Sequence, residues 1–247
     1  MAIAIVVMFG SGALHAQTTT AWGYSTGYGN VYGTFGLAQT MQTMYNATRR
    51  HTQSTSSSSS STKSTTASNN DAPPARVIRN HGVFRPDAKS DTGKAFSDAL
   101  GESPEEKALV LKIYTATKAE FEKQAKPKGW NNNVAGGLTF FTIAAMTVYH
   151  DAEEPSDAAV KNYYEAVNAS LDEIPEFASV SNKHKQNYNN MLIGFAGILL
   201  AGYTEGKQTE NATTIESYKK LAGMLIKMVL TTEPDNVRLE NGQIALK

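Results

Sequence analysis

The 247-residue chain has no cysteine. Disulfides, zinc–thiolate sites and thiol catalysis are therefore excluded, as is a lipid anchor on a cysteine at a processing site. Net charge is missing too, with 23 basic against 23 acidic residues. That balance hides an asymmetry: Arg49, Arg50, Lys63, Arg76 and Arg79 stand against Asp71 alone in residues 1–80, so a basic arm joins an acidic remainder. Neither charge is concentrated enough to mark a nucleic-acid partner. The acidic remainder is not drawn to anionic lipid either. The apolar run from Ala2 to Gly12 is too short for a stable membrane span, which takes about 20 residues. His-Glu-x-x-His, the phosphate loop and the dinucleotide fingerprint are all absent. No constellation in the chain requires a particular chemistry, and nothing calls for a cofactor.

What is present divides into three stretches. Residues 1–16 read as a signal peptide: the apolar run, then small residues and Ala13-Leu14-His15-Ala16, with cleavage expected before Gln17. The start lacks the usual Lys or Arg. Residues 17–79 read as a disordered arm and linker. Trp22, Tyr24, Tyr28, Tyr32 and Phe35 alternate with glycines, and a serine run from Ser56 to Ser61 follows. Such composition cannot bury enough apolar surface to offset the entropy of ordering. The arm reads either as a sticky segment whose rings stack on a partner or as a plain spacer.

Residues 80–247 read as an all-α domain, a single bundle of five to six helices. Val83, Phe84 and Pro86 suggest an extended lead-in that lays Phe84 on the bundle. A short helix is expected from Thr92 to Leu100. Ser103-Pro104-Glu105-Glu106 is a capping box with proline at the first helical position, opening a second helix that Pro127 and Gly129 end. Asn133 can cap a third, apolar nearly all round, which places it at the centre of the bundle. Ser156 caps a fourth, ended by Pro175, and Ser181 a fifth containing Gly194, Gly197 and Gly202. Those glycines each cost a helix about 1 kcal/mol, so they imply a close neighbour. The third helix, with Gly136 and Gly137, is the expected partner. A sixth helix runs from about Thr213 to Leu230. Alternation around Asn241-Gly242 then predicts a short β-hairpin, or an extended tail that pins Leu239 and Ile244 to the core.

The ordered succession of these elements resembles a known family. Its residues are Phe84-Arg85-Pro86, Phe121-Glu122-Lys123-Gln124-Ala125, Gly129 with Asn132-Asn133-Val134-Ala135, and the aromatic-rich helix ending at Tyr149. Pro155-Ser156-Asp157, Ala201-Gly202-Tyr203, Leu221-Ala222-Gly223 and the stretch from Asp235 to Leu246 follow. Over about residues 80–247, and not the arm, the chain is similar to a family of uncharacterised secreted bacterial helical proteins, a domain of unknown function. The resemblance implies export and a helical fold, and no activity. Members often carry a glutamate early in the fifth helix, where this chain has Asn189 and Asn190, which weakens any idea of a catalytic carboxylate there.

Candidate site residues are few. His150 with Asp151, Glu153 and Glu154 is the one His–carboxylate cluster, and His150, Asp151 and Glu154 could hold a divalent ion. Ligands on a helix are spaced at three or four, however, and these sit at a helix exit, where a solvated acidic loop explains them as well. Tyr149, Tyr163, Tyr164, Tyr188 and Tyr203 are many tyrosines for one core and could line a groove; tyrosines at the core edge with wet hydroxyls are the simpler reading. Asn132, within Asn131-Asn132-Asn133, could present an amide to a ligand, though capping and turn formation also account for it. The leading expectation is a non-enzymatic binding or interaction module, secreted or periplasmic, whose partner is an envelope protein or a glycan. The alternatives are a hydrolase with a dispersed site near His150 and a membrane-active bundle. A chain starting at Asn80 is expected to melt within a few degrees of the full mature chain; a loss of about ten degrees would mean that the arm packs on the bundle.

Overall fold

A computed structural model describes residues 49–50 and 79–247. The signal-peptide reading and nearly all of the arm lie outside the described residues. Seven helices and one hairpin are described: α1 Thr92–Leu100, α2 Pro104–Ala125, α3 Val134–His150, α4 Asp157–Asp172, α5 Pro175–Ser179, α6 Asn182–Gln208, α7 Ala212–Leu230, β1 Val237–Glu240 and β2 Gln243–Leu246. The protein is all-α with a short antiparallel C-terminal hairpin.

Local chemistry sets most of the helix starts. The Ser103 hydroxyl accepts from the Glu106 N–H at 3.1 Å, and the Glu106 carboxylate accepts from the Ser103 N–H at 3.1 Å. Asn133, Ser156, Ser181 and Asn211 cap α3, α4, α6 and α7 with side-chain oxygens that accept from first-turn N–H groups. Each cap satisfies a donor that the helix itself cannot. One boundary differs from expectation. Pro175 does not end the fourth helix, which stops at Asp172; it opens the one-turn α5. A proline lacking an N–H suits a first helical position, so it punctuates in either sense.

Helices α3 and α6 form the central pair, with the most extensive contact in the bundle, and α1, α2 and α7 all pack on α6. Phe141, Leu138 and Met146 of α3 meet Leu192 and Leu199 of α6 in a core that water does not reach. Burying one such side chain is worth about 1.5–3 kcal/mol. The glycines divide their work differently from the expectation. Only Gly137 backs on the other central helix, against Asn189. Gly194 makes room for the Phe96 ring of α1, Gly197 for Thr117 of α2 and Gly202 for the Tyr218 ring of α7. Close approach is real, but three of the four partners are side chains of outer helices.

The lead-in is stitched on by backbone groups. Arg79 and His81 donate N–H bonds of 2.9 and 2.8 Å to the two oxygens of Asp172. Phe84 donates to the Asn132 carbonyl, and Val134 donates to the Gly82 carbonyl. Gln186 then clamps Asp87, accepting from its N–H at 2.7 Å and donating to its carbonyl at 3.0 Å. Phe84 is buried by this arrangement, as expected.

At the other end Asn241 and Gly242 have φ of 50° and 73°, the left-handed pair that a two-residue hairpin turn requires. Val237 pairs with Leu246 and Leu239 with Ile244. Val237, Ile244 and Leu246 are buried. Leu239, which the alternative of an extended tail would have pinned to the core, is 37% exposed. Asn162 of α4 donates to Gln243 at 3.0 Å, which helps to hold the hairpin on the bundle. No helix among the described residues is long and apolar enough to cross a membrane.

Candidate ligand-binding groove

The sequence-predicted site residues scatter. Tyr163 and Tyr188 are core residues; the Tyr163 hydroxyl donates to Thr142 at 3.3 Å. Tyr164 accepts from the Asn133 amide at 3.0 Å and stacks its ring on Trp130, centroids 4.4 Å apart. Burial is the main cause that pushes the Tyr164 hydroxyl above its ordinary pKa. Asn132 has φ 54° and spends its carbonyl on Phe84, so it serves the turn before α3. These groups stand at the start of α3. Tyr149 lies one helix length away, about 25 Å for 17 residues. It donates to Asp235 at 3.3 Å. The five tyrosines therefore share no common surface.

The acidic cluster after α3 also comes apart. His150 places Nε2 2.8 Å from the Val237 carbonyl oxygen. Asp151, at φ 52°, turns the chain away. Its carboxylate takes the Tyr203 hydroxyl and the Lys207 ammonium, the latter at 2.8 Å, and hydrogen bonds from both hold its pKa below the usual carboxylate value. Glu154 lies farther along, at the rim of a different feature. Among the described residues no group of three or more His, Asp or Glu side chains is arranged to hold a metal ion. Asn189 and Asn190 are both buried: Asn189 lies against Gly137, and Asn190 reaches Thr92 at 3.5 Å.

That different feature is a shallow groove of about 70 Å³, where the end of α2, the first half of α3 and the start of α4 diverge. Helix α3 supplies Gly136, Thr139, Phe140 and Ile143, whose spacing of three and four puts them on one face. Helix α2 supplies Phe121 and Ala125 opposite, with the Phe121 and Phe140 rings tilted together at 5.5 Å. Trp130 closes one end: Tyr164 covers it from one side, and Lys128 sits 4.8 Å from its ring centre. The rim is ionic. Lys128 lies 3.5 Å from Asp157, and Glu120 and Glu154 stand nearby. Thr139 also lines the groove, but the residue is only 1% exposed and its buried hydroxyl finds no hydrogen-bond partner among the described residues.

Phe121 is a buried core residue with Phe140 packed against it, and both line the groove as well; Trp130 carries no role in the sequence pattern. The available signal was α3 itself, apolar all round, so that any face left uncovered by a neighbour must be an apolar surface. Gly23-Tyr24-Ser25-Thr26-Gly27 also spells the Gly-x-Ser-x-Gly pattern of a hydrolase nucleophile turn. It falls in the Gly/aromatic stretch, where alternating glycines generate such spellings readily, and it lies outside the described residues.

Fold and site together define an all-α bundle with an aromatic groove and no assembled metal centre among the described residues. The chain belongs to a family of unknown function, DUF6683, whose pattern matches residues 1–247. The match therefore runs through the arm as well, beyond the resemblance drawn from residues 80–247. No curated protein and no solved structure matches the chain.

Proposed function

We propose that this protein is a non-enzymatic, exported binding module of the bacterial envelope, and that the groove between α2, α3 and α4 is its binding site. One observation carries the reading: an aromatic-lined concavity whose ionisable groups all stand at its rim. A hydrolase centred on His150 would draw on the carboxylates beside it, but Asp151 is taken by Tyr203 and Lys207 while Nε2 of His150 lies against the Val237 carbonyl. A membrane-active bundle would need its two most apolar helices at the surface. Helices α3 and α6 spend their apolar residues on each other and on their neighbours.

The test of the groove is a thermal-shift screen of chemically varied fragments on the full chain and on Val160→Arg, which puts a long charged side chain at a position of α4 that lines the groove. Compounds that raise the melting point of the first and not of the second are the expected result. Hits indifferent to the substitution, or none at all, would refute the assignment. The exported location rests on residues 1–16, and a mature N-terminus near Gln17, read by mass spectrometry from the native host, is its check.

A further inference from the structure

Helix α6 opens on basic residues. Lys183, His184 and Lys185 follow the Ser181 cap almost directly, and the first turn holds no acidic residue. Positive charge there faces the positive end of the helix dipole and is unfavourable by itself. Ser181 accepts from the His184 N–H at 3.3 Å, but the N–H groups of Asn182 and Lys183 have no acceptor among the described residues. The Asn182 side chain accepts from the Arg85 N–H at 3.1 Å, which brings the lead-in alongside the same turn. Lys185 is only 6% exposed, yet no carboxylate among the described residues pairs with its ammonium. Helical side chains lean back over the turn before them, so its stem carries Nζ towards the start of α6. Nζ lies 5.4 Å from the centre of the Phe177 ring, in the one-turn α5 that ends just before the cap. Burial alone pushes its pKa below the ordinary lysine value. The ammonium is nevertheless not sealed from solvent as the Thr139 hydroxyl is. A charge held in this way without a partner is a cost that an anion would relieve.

We propose that the start of α6 is an oxyanion site, independent of the groove: one oxygen of a carboxylate or phosphate accepts from the Asn182 and Lys183 N–H groups, and another meets the Lys185 ammonium. Unpaired N–H groups at a helix start and a lysine charge beside them are a recurrent means of holding such a group. The oxyanion supplies the counter-charge that Lys185 lacks and the acceptor that the first turn lacks. Helix α7 offers the contrast within the same chain: Asn211 caps it and Ala212 and Thr213 open it, with no lysine in its first turn.

The probes are inorganic phosphate and acetate, titrated into the full chain at constant ionic strength made up with chloride, with the backbone amide resonances as the readout. Those of Asn182 and Lys183 are expected to shift saturably, and those of Ala212 and Thr213 at the start of α7 to stay in place. The probe that binds more tightly names the source, a phosphoryl group or a carboxylate. Lys185→Met keeps an unbranched apolar stem and removes the charge; it should weaken that probe by about tenfold, the scale of one hydrogen bond to a charged group. Lys183→Gln, on an exposed residue, should weaken it much less. Shifts that never saturate, that chloride reproduces or that α7 shares would reduce the site to an ordinary helix end and overturn the proposal. Binding undiminished in Lys185→Met would overturn it as well. The amide shifts are read on the unsubstituted chain, so they decide the matter even where Lys185→Met folds poorly, and neither result bears on the groove.

Discussion

Replacing Asp172 by alanine is expected to cost about 3 kcal/mol and to release the lead-in from the bundle. Asp172 ends α4 and is only 6% exposed, yet it has no basic side chain as its described hydrogen-bond partner. Its two oxygens instead accept the backbone N–H groups of Arg79 and His81, at 2.9 and 2.8 Å. Hydrogen bonds to a charged group contribute about 1.5–3 kcal/mol each, and removing the acceptor strands whatever donors water cannot reach. Arg79 is exposed and recovers water, whereas His81 is half-buried, so the loss falls short of the sum of two full bonds. For a folded unit of this size each kcal/mol moves the melting point by about 2–4 °C, which puts the expected drop at about 6–12 °C. The local consequence is separable from the global one. Trypsin should cut after Arg79 and Lys89 much faster in Asp172→Ala, while the helical fragment persists. Asp172→Asn keeps one acceptor and should fall between. A melt unchanged within 1–2 °C would mean that the lead-in is not tied through this carboxylate.

Gly202→Ala carries the second large effect, and its sign discriminates. Judged by helix propensity alone, alanine in place of glycine inside α6 should stabilise by about 1 kcal/mol. A Cβ at this position would instead overlap the Tyr218 ring of α7. An aromatic ring, unlike the end of a lysine, has no flexible tip to give way. Overpacking of this kind costs about 1–3 kcal/mol and forces α6 and α7 apart. The expected net loss is about 2 kcal/mol, a melting point about 4–8 °C lower. Combining Gly202→Ala with Tyr218→Ala should be far less harmful than the two losses added, because the second substitution removes what the first collides with. A higher melting point for Gly202→Ala would show that α6 and α7 do not meet through this ring.

How much of this was legible beforehand depended on the range of the interaction. The capping box at Ser103 and the caps at Asn133, Ser156 and Ser181 involve groups two or three residues apart, and each performs the expected role. The Asn241-Gly242 turn is equally local, and its two positive φ values are those the residue types favour. The glycines of α6 announced close contact without naming the partner. A missing side chain records that something approaches, not which element brings it. Pro175 was ambiguous for a similar reason, since proline fits both after one helix and at the start of the next.

The candidate site was legible only in fragments. His150, Asp151 and Glu154 look like a cluster because they are near one another in the chain. The left-handed turn at Asp151 sends His150 to the hairpin, Asp151 to Tyr203 and Lys207, and Glu154 to the groove rim. Phe121, Trp130, Phe140 and Thr139 look unrelated in sequence and come together at one concavity.

The sequence by itself determined most of the elements: which long stretches are helical, where they start and that α3 must be central, while it left the last residues open between a hairpin and an extended tail. Those outcomes follow from hydrogen bonds and apolar periodicity within a few residues of each other. Tertiary structure alone decided what each element leaves uncovered. A helix that is apolar all round must be buried, but which of its faces its neighbours fail to fill depends on how three separate helices diverge. That geometry, set by packing across the whole bundle, is what made the groove.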